Sequence, residues 1–407
     1  MAVPGRERVG LVLGFSVRRR VQLEHDLAGR YDERVRVDWL LERERPPLHT
    51  VDDELRERGE PLGVVAPCLD KLAREAHTGS VWSDRRIRAV EPRFLERALE
   101  LAERGRGTSH PNPVVGAVVV ADDEIVGEGW HERKGGPHAE VVALEDAGEQ
   151  ARGGTVYVTL EPCSHHGATP PCVEALVESG VARVVAGQRD PNPTHGGGLE
   201  KLRAAGVETE LVEGELAFRS RQQIEEWRTW VTAGRPFVTY KVAITLDGRV
   251  RVPDRRWVTG ETSRTLVHVL RAQSDAVAVG MGTVRWDNPR LDARDVPVVR
   301  QPRRIAFGRG PLPDGSELEL RSGPLREELE ALARDGVQSL LLEGGPTLAA
   351  SFLEAGLVDK LLVFVAPRIS GEGPGMLEGM PRPLELTHME ARPVGEDVLL
   401  QSYLNEP

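Results

Sequence analysis

Two hydrophobic periodicities alternate along the chain from about residue 91 onward. The stretch EPRFLERALELAERG has apolar residues at helical spacing between Pro92 and Gly105, and it therefore predicts a helix. Two strand-like runs, VVGAVVV and EIVGEGW, follow and are joined by ADD, which is typical of a hairpin. A helix from His138, a strand TVYVTLE, a helix after Cys172, a strand ARVVAG and a short helix GLEKLRAAG complete an α/β layer domain of about 120 residues.

The second half of the chain repeats this alternation after a predicted connecting helix over residues 213–235. Strand-like runs begin with PFVTYKVAI and continue with DAVAVG, RRIAFG, SLLLEGG, DKLLVFVAP and DVLLQSYL. Helical runs lie between them, namely SRTLVHVLRAQ, REELEALARDG and TLAASFLEAG. This order predicts a mostly parallel sheet covered by helices.

Four regions are predicted in the 407 residues, which exceed what one hydrophobic core usually holds. Residues 91–212 form the first α/β domain, residues 213–235 the connecting helix and residues 236–407 the second domain. Residues 1–90 alternate more weakly and carry no motif. We expect this N-terminal extension to be either a small added α/β unit or a poorly ordered segment.

Composition and charge narrow the class of protein. Hydrophobic residues make up 40% and charged residues 29%, with neither a membrane-length apolar run nor a leader, so we expect a cytoplasmic protein without a membrane partner. Three cysteines are too few for a disulfide framework, which leaves thiols free for metal or chemistry, and Cys68 is expected to pack as a small apolar residue. The net charge of −11 argues against nucleic-acid binding, so we expect a small-molecule substrate, and we also expect a homo-oligomer.

One constellation carries metal chemistry. His138 opens a predicted helix, Cys163 ends a predicted strand and Cys172 begins the next helix, whose N-terminus stabilises a thiolate. An imidazole and two thiolates form a catalytic zinc site, which needs three protein ligands and an open position for water. Glu140 follows the histidine by two residues and is the candidate to move a proton between that water and a leaving amine. The pattern H-x-E with two Pro-flanked cysteines indicates a hydrolytic zinc deaminase.

Two alternatives to this zinc site remain at the level of the residues. In the first alternative, the two cysteines are reduced core residues and the histidine faces solvent. The second is a structural zinc site, which normally has a fourth protein ligand, and His165 and His166 are the spare candidates.

The motifs that follow one another along the chain resemble a known family. HPNPVVGAVVV, HAE, EPCSHHGATPPC and DPNP resemble the deaminase half of the bifunctional deaminase/reductases of the riboflavin pathway, in which the eight-residue gap between the cysteines is typical. KVAITLDGRV, WVTG, LRAQSDAVAVGMGTVRWDNPRLDAR and LLLEGGPTLAASFLEAGLVDKLLVFVAP resemble its reductase half. The resemblance covers residues 92–403 and implies a cytidine-deaminase-like three-layer domain followed by a dihydrofolate-reductase-like α/β domain.

The resemblance also implies two reactions. The first is zinc-dependent hydrolytic deamination of 2,5-diamino-6-(5-phosphoribosylamino)pyrimidin-4-one, and the second is NADPH-dependent reduction of the ribosyl side chain to ribityl. Asn112, held between two prolines, would contact the pyrimidine, and the alternative for it is an ordinary turn. The sequence does not decide between NADPH and NADH.

For the reductase, the resemblance assigns residues to cofactor and substrate. Lys241 and Asp287 would be catalytic, and the alternative for these two is a plain surface ion pair. Cofactor contacts fall on Ala243, Trp257, Thr283, Asp287, Gly345, Pro346 and Thr347, and substrate contacts on Arg271, Leu291, Arg294 and Glu343. Two arginines can hold a phosphate, and a helix N-terminus after two glycines can approach a pyrophosphate closely, although such a turn alone is often only packing.

Two short stretches depart from the family pattern. Arg255, in PDRRW, replaces a small residue thought to touch substrate, and Gly308 with Arg309 replaces an aspartate and a small polar residue near the cofactor. The arginines either hold the cofactor's 2'-phosphate or obstruct the pocket. Three rival functions stay open: a deaminase acting on a nucleobase in tRNA or DNA, a deaminase-only or related paralogue in another pyrimidine-derived pathway, and a catalytically inactive zinc-stabilised binding protein.

Overall fold

A computed structural model describes residues 90–166, 170–192, 194–377 and 382–407. The predicted N-terminal unit and the packing of Cys68 lie outside the described residues, as do residues 167–169 of the cysteine loop and Pro193 of the DPNP motif.

The first half of the described chain is a five-stranded sheet between two layers of helices. Its strands are β1 (Gly116–Ala121), β2 (Glu124–Trp130), β3 (Thr155–Val158), β4 (Arg183–Ala186) and β5 (Glu208–Leu211), in the order β2-β1-β3-β4-β5. Its helices are α1 (Pro92–Glu103), α2 (Ala139–Ala147), α3 (Cys172–Ser179) and α4 (Gly198–Ala204), with a short 3₁₀ turn at Gly148–Ala151. Helices α2, α3 and α4 cover one face of the sheet and α1 covers the other, which confirms the three-layer fold.

The predicted hairpin is present, and its second strand, β2, packs closely against α2. Asp122 and Asp123 both adopt positive φ between β1 and β2, as a tight two-residue connection requires. Gly129 in β2 lets α2 approach closely, because a Cβ there would lie 2.3 Å from the Ala139 carbonyl oxygen. The start of α2, where His138 lies, is thereby set against the sheet.

The connecting segment is two helices rather than the single predicted one. Helix α5 (Gly214–Gln223) and helix α6 (Glu225–Ala233) meet at Ile224, whose φ of −122° and ψ of 28° leave helical geometry. Ile224 is buried with Trp227 against the first domain. Tertiary packing of this side chain therefore interrupts a segment whose local sequence favours continuous helix.

The second half is an eight-stranded sheet that is parallel at its centre, as predicted. In chain order its strands are β6 (Phe237–Thr245), β7 (Ala276–Gly280), β8 (Arg303–Phe307), β9 (Glu319–Arg321), β10 (Ser339–Leu342), β11 (Lys360–Ala366), β12 (Thr387–Val394) and β13 (Asp397–Tyr403). The spatial order is β12-β13-β11-β6-β10-β7-β8-β9, with β11, β13 and β12 paired antiparallel. Helices α7 (Glu261–Gln273), α8 (Met281–Asp287), α9 (Leu325–Arg334) and α10 (Pro346–Glu354) connect the strands.

Candidate functional site

Three ligand side chains come together beside the first sheet. His138 directly precedes α2, Cys163 lies in the loop after β3, and Cys172 is the first residue of α3. Their ligand atoms all lie within 4.8 Å of one another, and the His138 Nδ1 atom is 3.1 Å from Cys172 Sγ and 3.5 Å from Cys163 Sγ. One imidazole and two thiols are donors that zinc prefers, so the residues fit a three-ligand zinc site with a fourth position open.

The two cysteines differ in acidity. The hydrogen bond between the two thiols lowers the pKa of Cys163 to about 4 and raises that of Cys172. The backbone N–H of Cys172 also donates to Cys163 Sγ over 3.3 Å, as expected at a helix N-terminus. The lowered pKa favours the thiolate form of Cys163, and a bound cation would favour the thiolate form of Cys172 as well.

Neither spare histidine joins this cluster among the described residues. His166 is exposed and lies 3.2 Å from Glu174, and the ring of His165 stacks on that of His195 with 3.8 Å between centroids. The arrangement thus matches the three-ligand form better than a structural site with four protein ligands.

Glu140 lies one residue inside α2 and is 3% exposed. Burial raises the pKa of this carboxyl group, and the nearby His138 partly offsets that rise. It lines a cavity of about 520 Å³ together with His138 and Cys163. A carboxyl group with a raised pKa beside a metal-ligand cluster is suited to exchange protons during a reaction.

Asn112 lines the same cavity and is oriented by a residue that sequence reasoning missed. His131 is 3% exposed, and its Nδ1–H donates to the Pro137 carbonyl oxygen over 3.0 Å. Its Nε2 atom therefore accepts from Asn112 Nδ2 over 3.1 Å, which fixes the orientation of the Asn112 amide and leaves its oxygen as the acceptor on the other side. The signal in the sequence is the first histidine of HERKGGPHAE, which lies seven residues before the ligand candidate His138.

The cavity is also lined by two acidic residues that the sequence prediction missed, Glu161 and Asp190. The buried Glu161 carboxylate accepts hydrogen bonds from the backbone N–H groups of Asp190, Gly197 and Leu199. Burial raises the pKa of Asp190 to about 6. Glu161 thus shapes the loop that brings Asp190 to the cavity. The sequence did not indicate that the EPC and DPNP segments contact each other, because they are far apart along the chain.

A second constellation lies at the carboxyl ends of the parallel strands in the second sheet. The Arg271 guanidinium makes two bonds to the Glu343 carboxylate, of 2.6 and 3.0 Å, and Lys241 Nζ lies 3.6 Å from Glu343 Oε2. Burial alone would raise the pKa of Glu343, but Lys241 and Arg271 outweigh it and hold that pKa below its ordinary value. Burial lowers the pKa of Lys241. The structure thus groups three predicted residues, and Lys241 pairs with Glu343 rather than with the exposed Asp287.

The other two predicted substrate residues, Arg294 and Leu291, differ in exposure and in their contacts. Arg294 donates to Asp292 Oδ1 over 2.8 Å, and the Asp292 carbonyl oxygen accepts from Arg271 over 3.2 Å. Leu291 is 2% exposed with a positive φ of 55°, and its side chain packs in a hydrophobic core cluster. His268, which was missed, lies one turn before Arg271 with its Nδ1 atom buried and without a hydrogen-bond partner.

The predicted cofactor residues lie on several elements of the second half. Gly345 caps α10, and a Cβ on it would lie 3.6 Å from Thr283 Oγ1, so the glycine turn and Thr283 are neighbours. Pro346 and Thr347 form the first turn of α10, and Ala243 lies on β6 opposite Phe364 of β11. Trp257 is 46% exposed, and the Arg256 and Arg264 guanidinium groups lie over its ring.

The arginines of the two stretches that depart from the family pattern make local contacts. Arg255 is exposed and forms an isolated bridge with Val252. The Arg309 carbonyl oxygen accepts a 2.8 Å hydrogen bond from Arg285, and the preceding Gly308 has a φ of 134°, which favours glycine.

Comparison with known proteins connects both constellations to two family models. Residues 89–188 match the cytidine and deoxycytidylate deaminase zinc-binding region, and residues 236–400 match the RibD C-terminal domain. The chain is 39% identical over 353 residues to the riboflavin biosynthesis protein RibD of Aquifex aeolicus, covering 77% of this chain and 98% of that one. It is 42% identical over 287 residues to RibD of Mycobacterium tuberculosis, covering 67% and 84% of the two chains.

Two solved structures show the same fold. The RibD structure from Acinetobacter baumannii, form 1, has a TM-score of 0.68 at 35% identity and covers 77% of this chain and 98% of its own. A diaminohydroxyphosphoribosylaminopyrimidine deaminase/5-amino-6-(5-phosphoribosylamino)uracil reductase from Thermotoga maritima has a TM-score of 0.66 with the same identity and coverage. Within the part of the chain that the structure describes, no helix combines the length and apolar character needed to span a membrane.

Proposed function

The chain belongs to the RibD family and is a bifunctional deaminase/reductase of riboflavin biosynthesis, and from this premise we propose the substrate and the residues of each half. The deaminase half acts on 2,5-diamino-6-(5-phosphoribosylamino)pyrimidin-4-one. The observation that carries this proposal is the cluster of His138, Cys163 and Cys172, two of whose members, His138 and Cys163, line the same cavity as Glu140 and Asn112.

We propose that His138, Cys163 and Cys172 hold a zinc ion, which when bound activates water at neutral pH. Glu140 accepts a proton from the attacking water and returns it to the departing amine, so that the ring carbon loses ammonia and gains oxygen. The raised pKa of Glu140 supports this exchange, because an acid–base group works best near the operating pH. Asn112, oriented by His131, holds the pyrimidine by its amide.

In the second half we propose an NADPH-dependent reduction of the ribosyl chain. When bound, NADPH supplies the hydride. Lys241 and Asp287 act at the reacting sugar, and the other predicted residues hold cofactor and substrate: Ala243, Trp257, Thr283, Gly345, Pro346 and Thr347 for the cofactor, and Arg271, Leu291, Arg294 and Glu343 for the substrate. The burial of Lys241 beside Glu343 supports a role for it in proton transfer, because burial lowers its pKa below the ordinary value.

We propose the domain division at residues 91–212, 213–235 and 236–407, a cytoplasmic homo-oligomer, and a substrate that is a small phosphorylated pyrimidine rather than nucleic acid. Retention of the chain on single-stranded RNA at moderate salt would argue for the nucleic-acid alternative instead.

The experiment gives the full chain the phosphorylated diaminopyrimidine with and without NADPH and follows ammonia release and NADPH absorbance separately. We expect ammonia in both reactions and NADPH oxidation only after deamination. Ammonia without NADPH oxidation would identify a deaminase-only paralogue and implicate the departures at Arg255 and Arg309. Stoichiometric zinc without ammonia would identify a binding protein and overturn the proposal.

A further inference from the structure

The deaminase cavity is contacted by a residue of the other half of the chain. Gln338 is 6% exposed and directly precedes β10 of the second sheet. Its side-chain amide donates a 2.7 Å hydrogen bond to the carbonyl oxygen of Pro111, which lies 227 positions earlier in the chain. Pro111 lines the deaminase cavity and is the residue before Asn112.

Gln338 is held firmly at its own end of this contact. Its backbone N–H donates to Asp275 Oδ2 over 2.7 Å, and its carbonyl oxygen accepts from the Phe237 N–H over 2.8 Å. The same Asp275 oxygen accepts from Ser339 over 3.1 Å. These bonds join Gln338 to the amino ends of neighbouring strands in the second sheet, so its side chain projects from a rigid base.

The loop that receives this bond is the one that presents Asn112. The Asn112 N–H donates to the Ser109 carbonyl oxygen over 2.9 Å, and the Ser109 hydroxyl donates to the Asn112 carbonyl oxygen over 3.2 Å. These two bonds hold the turn together but do not attach it to the rest of the cavity. Gln338 and His131 supply attachment from two sides, at the Pro111 carbonyl and at the Asn112 side chain.

A second wall of the cavity is tied to the same half. Trp227 and Trp230 of α6 line the cavity. The Trp230 indole N–H donates over 3.0 Å to the carbonyl oxygen of Ala333, in the last turn of α9. The cavity is therefore lined by a loop and a helix that are both hydrogen-bonded to the second domain.

We propose that Gln338 is a positioning residue for deamination, acting through Pro111 to fix where Asn112 meets the pyrimidine. This inference rests on the proposed function, because it takes Asn112 as a contact of the diaminopyrimidine. The reductase half then contributes to substrate binding in the deaminase half without touching the substrate.

The test uses Gln338→Met in the full chain, which keeps the side-chain length and removes the donor. One hydrogen bond of this kind changes binding by about three- to tenfold, so we expect the KM for the diaminopyrimidine to rise by that factor with kcat nearly unchanged. Gln338→Glu retains the shape but turns a carboxylate toward the Pro111 carbonyl, and its KM should rise further. Reduction of separately supplied deaminated substrate should stay at the parent rate.

Gln222→Met is the matched control. The Gln222 amide donates to the Tyr403 hydroxyl over 2.9 Å and also joins the connecting segment to the second sheet, but it is not attached to the Asn112 loop. This variant removes a comparable bond and should leave the KM for the diaminopyrimidine unchanged. A general loosening of the domains would raise KM in both variants and would overturn the proposal.

A double-mutant cycle separates positioning from stability. If Gln338 acts through Asn112, then Gln338→Met should have no further effect on KM in an Asn112→Ala background. Additive effects, an unchanged KM in Gln338→Met, or a parallel fall of both reactions together with the melting temperature would each overturn it. A parent chain that releases no ammonia would overturn the proposed function and this inference with it, whereas an active parent with an unaltered Gln338→Met variant overturns this inference alone.

Discussion

Replacing Glu140 by Gln tests the proposed chemistry most directly. The substitution keeps the volume of a side chain that is 3% exposed, and it removes the group that exchanges a proton. General acid–base catalysis contributes about 100- to 10,000-fold to a rate, so we expect kcat for deamination to fall by that factor, equivalent to about 3 to 5 kcal/mol in the barrier. Zinc content should be unchanged, because Glu140 is outside the ligand cluster.

The pKa of Glu140 also predicts how the same variant changes the melting temperature. A folded-state pKa above the ordinary value means that the folded chain binds the proton more tightly than the unfolded chain. Ionised Glu140 therefore opposes folding as pH rises above its ordinary pKa of 4.5. The neutral amide avoids that cost, so the metal-free variant at neutral pH should have a melting temperature equal to or above that of the metal-free parent.

The assay measures ammonia from the phosphorylated diaminopyrimidine, bound zinc by elemental analysis and reduction of separately supplied deaminated substrate. Glu145→Gln, at an exposed position of the same helix, is the control and should behave like the parent. Ammonia release by Glu140→Gln within about twofold of the parent, with zinc retained, would refute the assigned role, since twofold is far below the range for acid–base catalysis.

Three further outcomes are expected. Cys172→Ser should lower zinc affinity by more than about 100-fold and abolish ammonia release, as measured by zinc competition with a chelator, because one of three ligands is lost. Gly198→Ala should cost about 1–3 kcal/mol in denaturant unfolding and weaken zinc retention, since its Cβ would lie 1.8 Å from the carbonyl oxygen of Pro162, next to Cys163. Glu343→Gln should cost about 3–5 kcal/mol at neutral pH because it leaves buried cations unpaired. Since the folded-state pKa of Glu343 is lowered, its stabilisation is lost as pH falls below 4.5, so melts recorded at decreasing pH should converge for parent and variant.

The parts of the fold that were predictable are those with strong local periodicity. Helix α1 buries the apolar stripe that its spacing predicts, and the hairpin forms where ADD separates two apolar runs. Strand β12 has seven exposed residues of eight and no alternation, so nothing in THMEARPV indicates a strand until β13 pairs with it. The break at Ile224 likewise depends on burial against the first domain, which local propensity does not contain.

The candidate site divides in the same way. The His138, Cys163 and Cys172 set was predictable because metal ligation restricts both residue type and spacing. His131 and Glu161 were not predictable, because their roles depend on hydrogen bonds to backbone groups whose positions only the folded loops define. Gln338 is the extreme case, since its partner is on another domain and an isolated glutamine carries no motif.

Strand β10 has a consequence for how the two activities share one polypeptide. The strand is four residues long, with Gln338 just before it and Glu343 just after it. At about 3.3 Å per residue, the two positions are about 17 Å apart, at opposite ends of one strand. Adding or deleting a single residue in this strand would invert its side chains and displace a contact of each reaction at once. Insertions and deletions in β10 are therefore expected to be far less tolerated than in the connecting loops, because the length of this strand sets the positions of both Gln338 and Glu343.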